Sequence, residues 1–134
     1  MVRVYLAGRV WETDYRKHVH KHYGKILKIV DPMVENGAFV DMEHKKVIHN
    51  KSVDDVVEND KALIDTCDLF VAIVNEYSAG TIMEILYAYN RNIPVYLIVG
   101  FSHNFKNDIW LKYHATKIFD STYKCYSHII EQIK

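Results

Sequence analysis

The stretch Cys67–Gly100, CDLFVAIVNEYSAGTIMEILYAYNRNIPVYLIVG, decides the fold. Leu69 to Val74 is a short apolar run without a charge, and Val95 to Val99 is a second. Between them Ser78-Ala79-Gly80-Thr81 makes a turn that opens a helix, and Asn92-Ile93-Pro94 breaks it. Two β-rich runs bracketing a helix predict a βαβ unit. Strands with no polar alternation belong in a parallel sheet covered on both faces. Inside the helix, Ile82 to Tyr89 is apolar except for one carboxylate, Glu84. An acid packed against such a sheet costs free energy unless something uses it.

Outward from that unit, Val2 to Leu6 is another β-rich run, ended by Ala7-Gly8. A glycine there lets the strand turn sharply or a ligand approach the backbone. Thr13-Asp14 starts a helix whose apolar positions Tyr15, Val19, Tyr23, Ile26 and Leu27 keep near-helical spacing. Ile29-Val30 is a second strand ending at Asp31-Pro32. From 33 to 50 the pattern dissolves; Gly37 marks a turn, and a surface loop or small hairpin fits. Ser52-Val53-Asp54-Asp55 resembles a capping box before a helix ending near Thr66, with Val56, Val57, Leu63 and Ile64 as its apolar stripe. On the other side, Phe101 to Tyr113 reads as a polar, aromatic loop long enough to serve a site. Thr116 to Phe119 is an edge strand, and Asp120-Ser121 caps a last helix with Tyr123, Tyr126, Ile129, Ile130 and Ile133 inward.

The expected fold is α/β: a doubly wound, flavodoxin- or Rossmann-like sheet of five parallel strands in the order 2-1-3-4-5, forming one domain over 1–134. In such sheets ligands bind beyond the carboxyl ends of the strands, near the switch point. Gly8 to Trp11, Asp31, Asn75 to Gly80 and the chain from Gly100 onward are delivered there.

At 134 residues, the chain is long enough to bury a core. With 25% charged residues and zero formal net charge, a dominant electrostatic footprint for a nucleic-acid polymer is not expected. No apolar run has membrane-spanning length, and no secretory signal is read at the start. Cys67 and Cys125 fit no metal or redox motif, and two lone thiols predict a reducing, cytoplasmic setting. His18, His20 and His22 alternate, but on a helix His20 points away from the others. A solvated face is the reading preferred over a metal cluster, so neither a metal nor a cofactor is called for.

Chemistry gathers at the helix that follows Ser78. A serine N-cap leaves the N–H groups of Ala79, Gly80 and Thr81 pointing outward, an anion site that Gly80 lets a ligand approach. Glu84 lies one turn further in. A phosphate on the helix end therefore brings the next atoms of its ligand to Glu84. A carboxylate at a sugar C1 acts as nucleophile or stabilises an oxocarbenium-like transition state. Asp60 offers a second carboxyl group, suited to hydrogen-bonding or protonating a leaving group.

Val4-Tyr5-Leu6-Ala7-Gly8, Asn59-Asp60, Cys67-Asp68 and Ser78-Ala79-Gly80-Thr81-Ile82-Met83-Glu84-Ile85-Leu86-Tyr87-Ala88 together resemble the nucleoside 2-deoxyribosyltransferase family. The resemblance implies the same doubly wound fold and cleavage of the N-glycosidic bond of (deoxy)nucleosides or nucleotides. It implies Glu84 as the catalytic glutamate attacking C1′, Asp60 as the aspartate engaging the base, and Gly8 with its neighbours as pocket lining. It also implies a homodimer or larger homo-oligomer with sites completed by a neighbouring subunit, for which Asn104 and Asn107 are candidates. Members acting on free nucleosides carry an aspartate six residues before the glutamate. Ser78 stands there instead, as in the branch that hydrolyses nucleoside 5′-monophosphates. A hydroxyl on a helix end accepts a phosphate that a carboxylate repels. Arg9 adds positive charge.

The substrate-binding set is thus Gly8, Arg9, Trp11, Ser78, Gly80 and Thr81, with Glu84 and Asp60 catalytic. Each has a plainer role too. Glu84 and Asp60 as solvated helix acids, Ser78 as a cap alone, Arg9 paired with Glu12 or Asp14, and Trp11 as a core anchor rather than a base-stacking lid all stay open. Three functions follow: a monophosphate N-glycosidase first, then a deoxyribosyltransferase, then a non-catalytic nucleotide-binding module. No membrane partner is expected.

Overall fold

A computed structural model of the protein describes residues 1–100 and 103–134, with the side chains of 103 and 104 outside the description. The elements run β1 (Arg3–Ala7), α1 (Thr13–Tyr23), β2 (Lys28–Val30), α2 (Pro32–Glu35), β3 (Phe39–Asp41), β4 (Lys46–Ile48) and α3 (Val53–Asp65). Then come β5 (Leu69–Ile73), α4 (Ala79–Asn90), β6 (Val95–Ile98), α5 (His103–Lys106), α6 (Ile109–His114), β7 (Lys117–Phe119) and α7 (Thr122–Gln132).

Five strands form one parallel sheet in the order β2-β1-β5-β6-β7. Leaving aside the separate β3–β4 hairpin, this is the order 2-1-3-4-5 expected from the sequence. The strands alternate their side chains between two cores. Tyr5, Ala7, Phe70, Ala72 and Leu97 pack on the side of α3, α4 and α6. Val4, Leu6, Val71 and Ile98 pack on the side of α1 and α7. That two-sided burial is why the strands read as unbroken apolar runs.

The helix ends are built from the residues that signalled them. The Ser52 hydroxyl accepts from the Asp55 N–H at 3.1 Å, and Ser121 accepts from Lys124 at 3.1 Å. After α4, Asn92 takes a left-handed φ of 61°. Its N–H donates to Tyr89 and that of Ile93 to Ala88, closing the helix in a Schellman motif.

Four expectations need correction. The first helix ends at Tyr23, not Leu27. Leu27 is buried as the lead-in to β2, while Ile26 is exposed. The segment expected as a loop to Tyr113 contains α5 and α6, the latter capped by the Asp108 carboxylate. Tyr123 in the first turn of α7 and Ile133 at its C-cap are exposed rather than inward. Val57 is 45% exposed and does not join the buried stripe of α3.

Candidate active site

Glu84 stands on the second turn of α4, and its carboxylate accepts a hydrogen bond from the Tyr5 hydroxyl in the middle of β1. The wide chain separation is bridged because β1 and β5 are neighbours and α4 packs on β5. Burial pushes the Glu84 carboxyl up to about 7. Asp60 repels it further upward, while the Tyr5 bond and the Arg16 charge pull the other way. The Tyr5 hydroxyl is itself pushed up, first by burial and then by Glu84.

Asp60 lies on α3, facing the same opening. Burial raises its carboxyl, opposed by the Asn36 amide and by Arg16. Asn36 Nδ2 donates to Asp60 Oδ1 at 2.8 Å. Asp60 and Glu84 are walls of two adjoining clefts. One, of about 260 Å³, is lined by Gly8, Arg16, Asn36, Val47 and His49 as well. The other, of about 310 Å³ and more apolar, is lined by Val57, Ile64, Gly80, Met83 and Tyr87.

The floor of the first cleft is fixed by a buried ion pair. Arg16 is 7% exposed and Asp31 3%. The guanidinium reaches Asp31 Oδ1 at 2.7 Å and donates to the carbonyls of Leu6 and Gly8 at 3.3 and 2.9 Å. It thereby ties the carboxyl end of β1 to the end of β2. Gly8 leaves room at that edge: a Cβ there would lie 2.7 Å from Ile73 Cγ2, a branched side chain with little freedom to withdraw.

The other predicted site residues are placed as follows. The Ser78 hydroxyl caps α4, accepting from the Thr81 N–H at 3.4 Å and its hydroxyl at 3.0 Å. Thr81 is buried, and a Cβ on Gly80 would meet nothing within 4 Å. Arg9 is held by Glu76 at 2.9 Å and Glu12 at 3.6 Å, so its charge is matched by carboxylates. Trp11 is partly buried and lines neither cleft. Asn107 is exposed between α5 and α6, and the Asn104 side chain lies outside the described residues. His18 and His22 rings meet at 4.3 Å, whereas His20 turns to Asp31. Among the described residues no group of three or more His, Cys, Asp or Glu is arranged for a metal ion. No helix among them is long and apolar enough to cross a membrane.

Tyr5, Arg16 and Asn36 are site residues that sequence reasoning did not nominate, while Asp31 was placed at the ligand-binding end of the sheet without a partner or role. A tyrosine in a strand covered on both faces is a signal for the first, since a buried hydroxyl needs a partner. Arg16, beside Tyr15 on the inward face of α1, is a buried cation that requires an acid such as Asp31.

A family model for nucleoside 2-deoxyribosyltransferase matches residues 4–120. The chain belongs to that family. As a member it is an enzyme acting on N-glycosyl bonds. Solved structures of the same fold include a 2-deoxyribosyltransferase from Leishmania mexicana, with TM-score 0.69 and 15% identity over 98% of each chain. Another 2-deoxyribosyltransferase, from Bacillus psychrosaccharolyticus, gives 0.67 at 17% identity, covering 92% of this chain and 90% of that one. The CMP N-glycosidase of Clostridium botulinum gives 0.59 at 18% identity, covering 95% and 97%. A search of curated proteins finds no match.

Proposed function

We propose that this member hydrolyses the N-glycosidic bond of a (deoxy)nucleoside 5′-monophosphate, and that 1–134 is one catalytic domain. The observation that carries this reading is the pairing of Glu84 and Asp60 in one cleft wall, the first held by the Tyr5 hydroxyl and the second by the Asn36 amide. Such a pair divides the work of nucleophile and acid. Ionised Glu84 forms a bond to C1′ as the C1′–N bond breaks, and protonated Asp60 gives its proton to the departing base. Water then attacks C1′, releases Glu84 and returns a proton to Asp60. The products are free base and (deoxy)ribose 5-phosphate.

Ser78 in place of a carboxylate, with Gly80 open beside it, favours a phosphate at the amino end of α4. Arg9 contributes there only by leaving Glu76 and Glu12. Family membership favours a second reading, in which another base replaces water and the sugar is transferred. A homodimer is the expected assembly: Met83, Leu86 and Tyr89 form an exposed stripe on α4 that Tyr89 joins to the exposed Trp110 and Tyr113 of α6.

Chromatography of a panel of monophosphates and nucleosides, with and without an added acceptor base, tests these readings. The expected result is free base from a monophosphate, slowed at least about 100-fold by Glu84→Gln. A new nucleotide formed only with the acceptor base assigns transfer. Absence of base release from every monophosphate and nucleoside overturns both. Sedimentation of the purified protein reads the assembly state.

A further inference from the structure

Asn36 closes the short helix α2 and is 6% exposed. Its Nδ2 lies 2.8 Å from the Pro32 carbonyl and 2.8 Å from Asp60 Oδ1. A carbonyl oxygen only accepts, so the atom facing Pro32 is the amide nitrogen, not the amide oxygen. The Asn59 side chain agrees, donating to Asn36 Oδ1 at 3.4 Å. Both hydrogens of the Asn36 amide are therefore committed, one of them to Asp60 Oδ1.

That commitment decides where Asp60 carries a proton. Oδ1 faces an N–H, so a hydrogen on Oδ1 would be driven against another hydrogen. The proton belongs on Oδ2. Among the described residues Oδ2 has no protein partner and is not fully buried, and Asp60 lines both clefts beside Glu84. Resting on the N-glycosidase reading, we propose that Asn36 is a positioning residue that holds the Asp60 proton on Oδ2, aimed at the leaving base. The support reaches back through the fold: Arg16 grips Asp31, the Asp31 carboxylate caps α2 through the Met33 N–H, and α2 sets Asn36. Asn36 is then needed in proportion to how much the leaving group needs a proton.

Leaving-group dependence tests this. The substrates are the monophosphate that the wild type cleaves fastest and its analogue whose base departs unprotonated, an N7-methylated purine or a 5-nitropyrimidine. Asn36→Ala and the isosteric Asn36→Asp are measured on both, with thermal melting to establish folding. The expected kcat falls by about 10- to 100-fold on the ordinary substrate and less than about 3-fold on the activated one, with KM nearly constant. Asp60→Asn shows the same split, and Asn36→Ala/Asp60→Asn is no slower than the slower single variant. Equal losses on both substrates, or no loss on either, overturn the positioning role and leave the N-glycosidase standing. Wild type that cleaves neither substrate overturns the N-glycosidase reading itself.

Discussion

Tyr5 and Glu84 stand 79 residues apart in the chain, yet the hydroxyl of one donates to the carboxylate of the other. That bond favours the ionised form of Glu84 against the burial that opposes it. Tyr5→Phe removes the help and leaves the burial, so Glu84 ionises at a higher pH. The acid limb of kcat/KM, set by ionised Glu84, moves upward by roughly one unit. Activity at pH 6 falls about 10-fold relative to wild type, and the difference narrows as pH rises. A pH–rate profile of the two proteins decides this; an unmoved limb removes Tyr5 from the tuning of Glu84.

Glu84 also sets a pH dependence of stability. Its carboxyl titrates near 7 in the folded protein, above the ordinary glutamate value of 4.5. Between these values the folded state binds more protons than the unfolded state, so stability falls as pH rises through that window. Glu84→Gln abolishes this loss. The variant gains on the order of 1–3 kcal/mol over wild type at pH 8, and the gain fades toward pH 4.5. Urea titrations at the two pH values measure the difference. A gain of equal size at both ends contradicts the assignment.

The two arginines near β1 differ in worth. Arg16 and Asp31 are buried, so Arg16→Leu strands a carboxylate in the interior and costs about 3–5 kcal/mol. Arg9 reaches Glu76, whose side chain is 66% exposed, and Arg9→Leu costs less than about 1 kcal/mol. Denaturant midpoints of the two variants should separate clearly. Similar midpoints would mean that the Arg16 pair is solvated.

Ser78 joins capping to ligand preference. Ser78→Ala removes the acceptor for the Thr81 N–H and costs about 1 kcal/mol. Ser78→Asp keeps a good cap and holds stability within roughly 0.5 kcal/mol, but sets a negative charge at the helix end. Its kcat/KM for a monophosphate relative to the free nucleoside is expected to fall at least about 10-fold. An unchanged ratio would place the phosphate elsewhere.

The sheet was legible because each of its strands lies between two layers, which forces a run of apolar side chains that no loop needs. The hairpin was legible only as one of two alternatives, because Phe39 and Met42 are largely exposed and its strands carry no buried face to impose a period. The short α6 hid for a similar reason: Leu111 is its one buried residue. In the site, Glu84 was visible as a single acid within an apolar helix. Asn36 was not, since its importance lies in Asp60, 24 residues later, and nothing in the Asn36-Gly37 dipeptide reports a distant partner. For Arg9 the expected pairing with Glu12 is present, but the closer partner, Glu76, is distant in the chain and could not be read from it.

The central place of β1, with β2 on one side and β5 on the other, fixes when during synthesis this protein can acquire its chemistry. During synthesis β1 must wait for partners encoded up to Ile73, and its tyrosine waits longer still for α4. A chain interrupted before residue 84 carries Tyr5, Asn36 and Asp60 but lacks the carboxylate that completes their cleft. Long-range parallel pairing of this kind is slow to form, so the cleft is assembled only after α4 has been made.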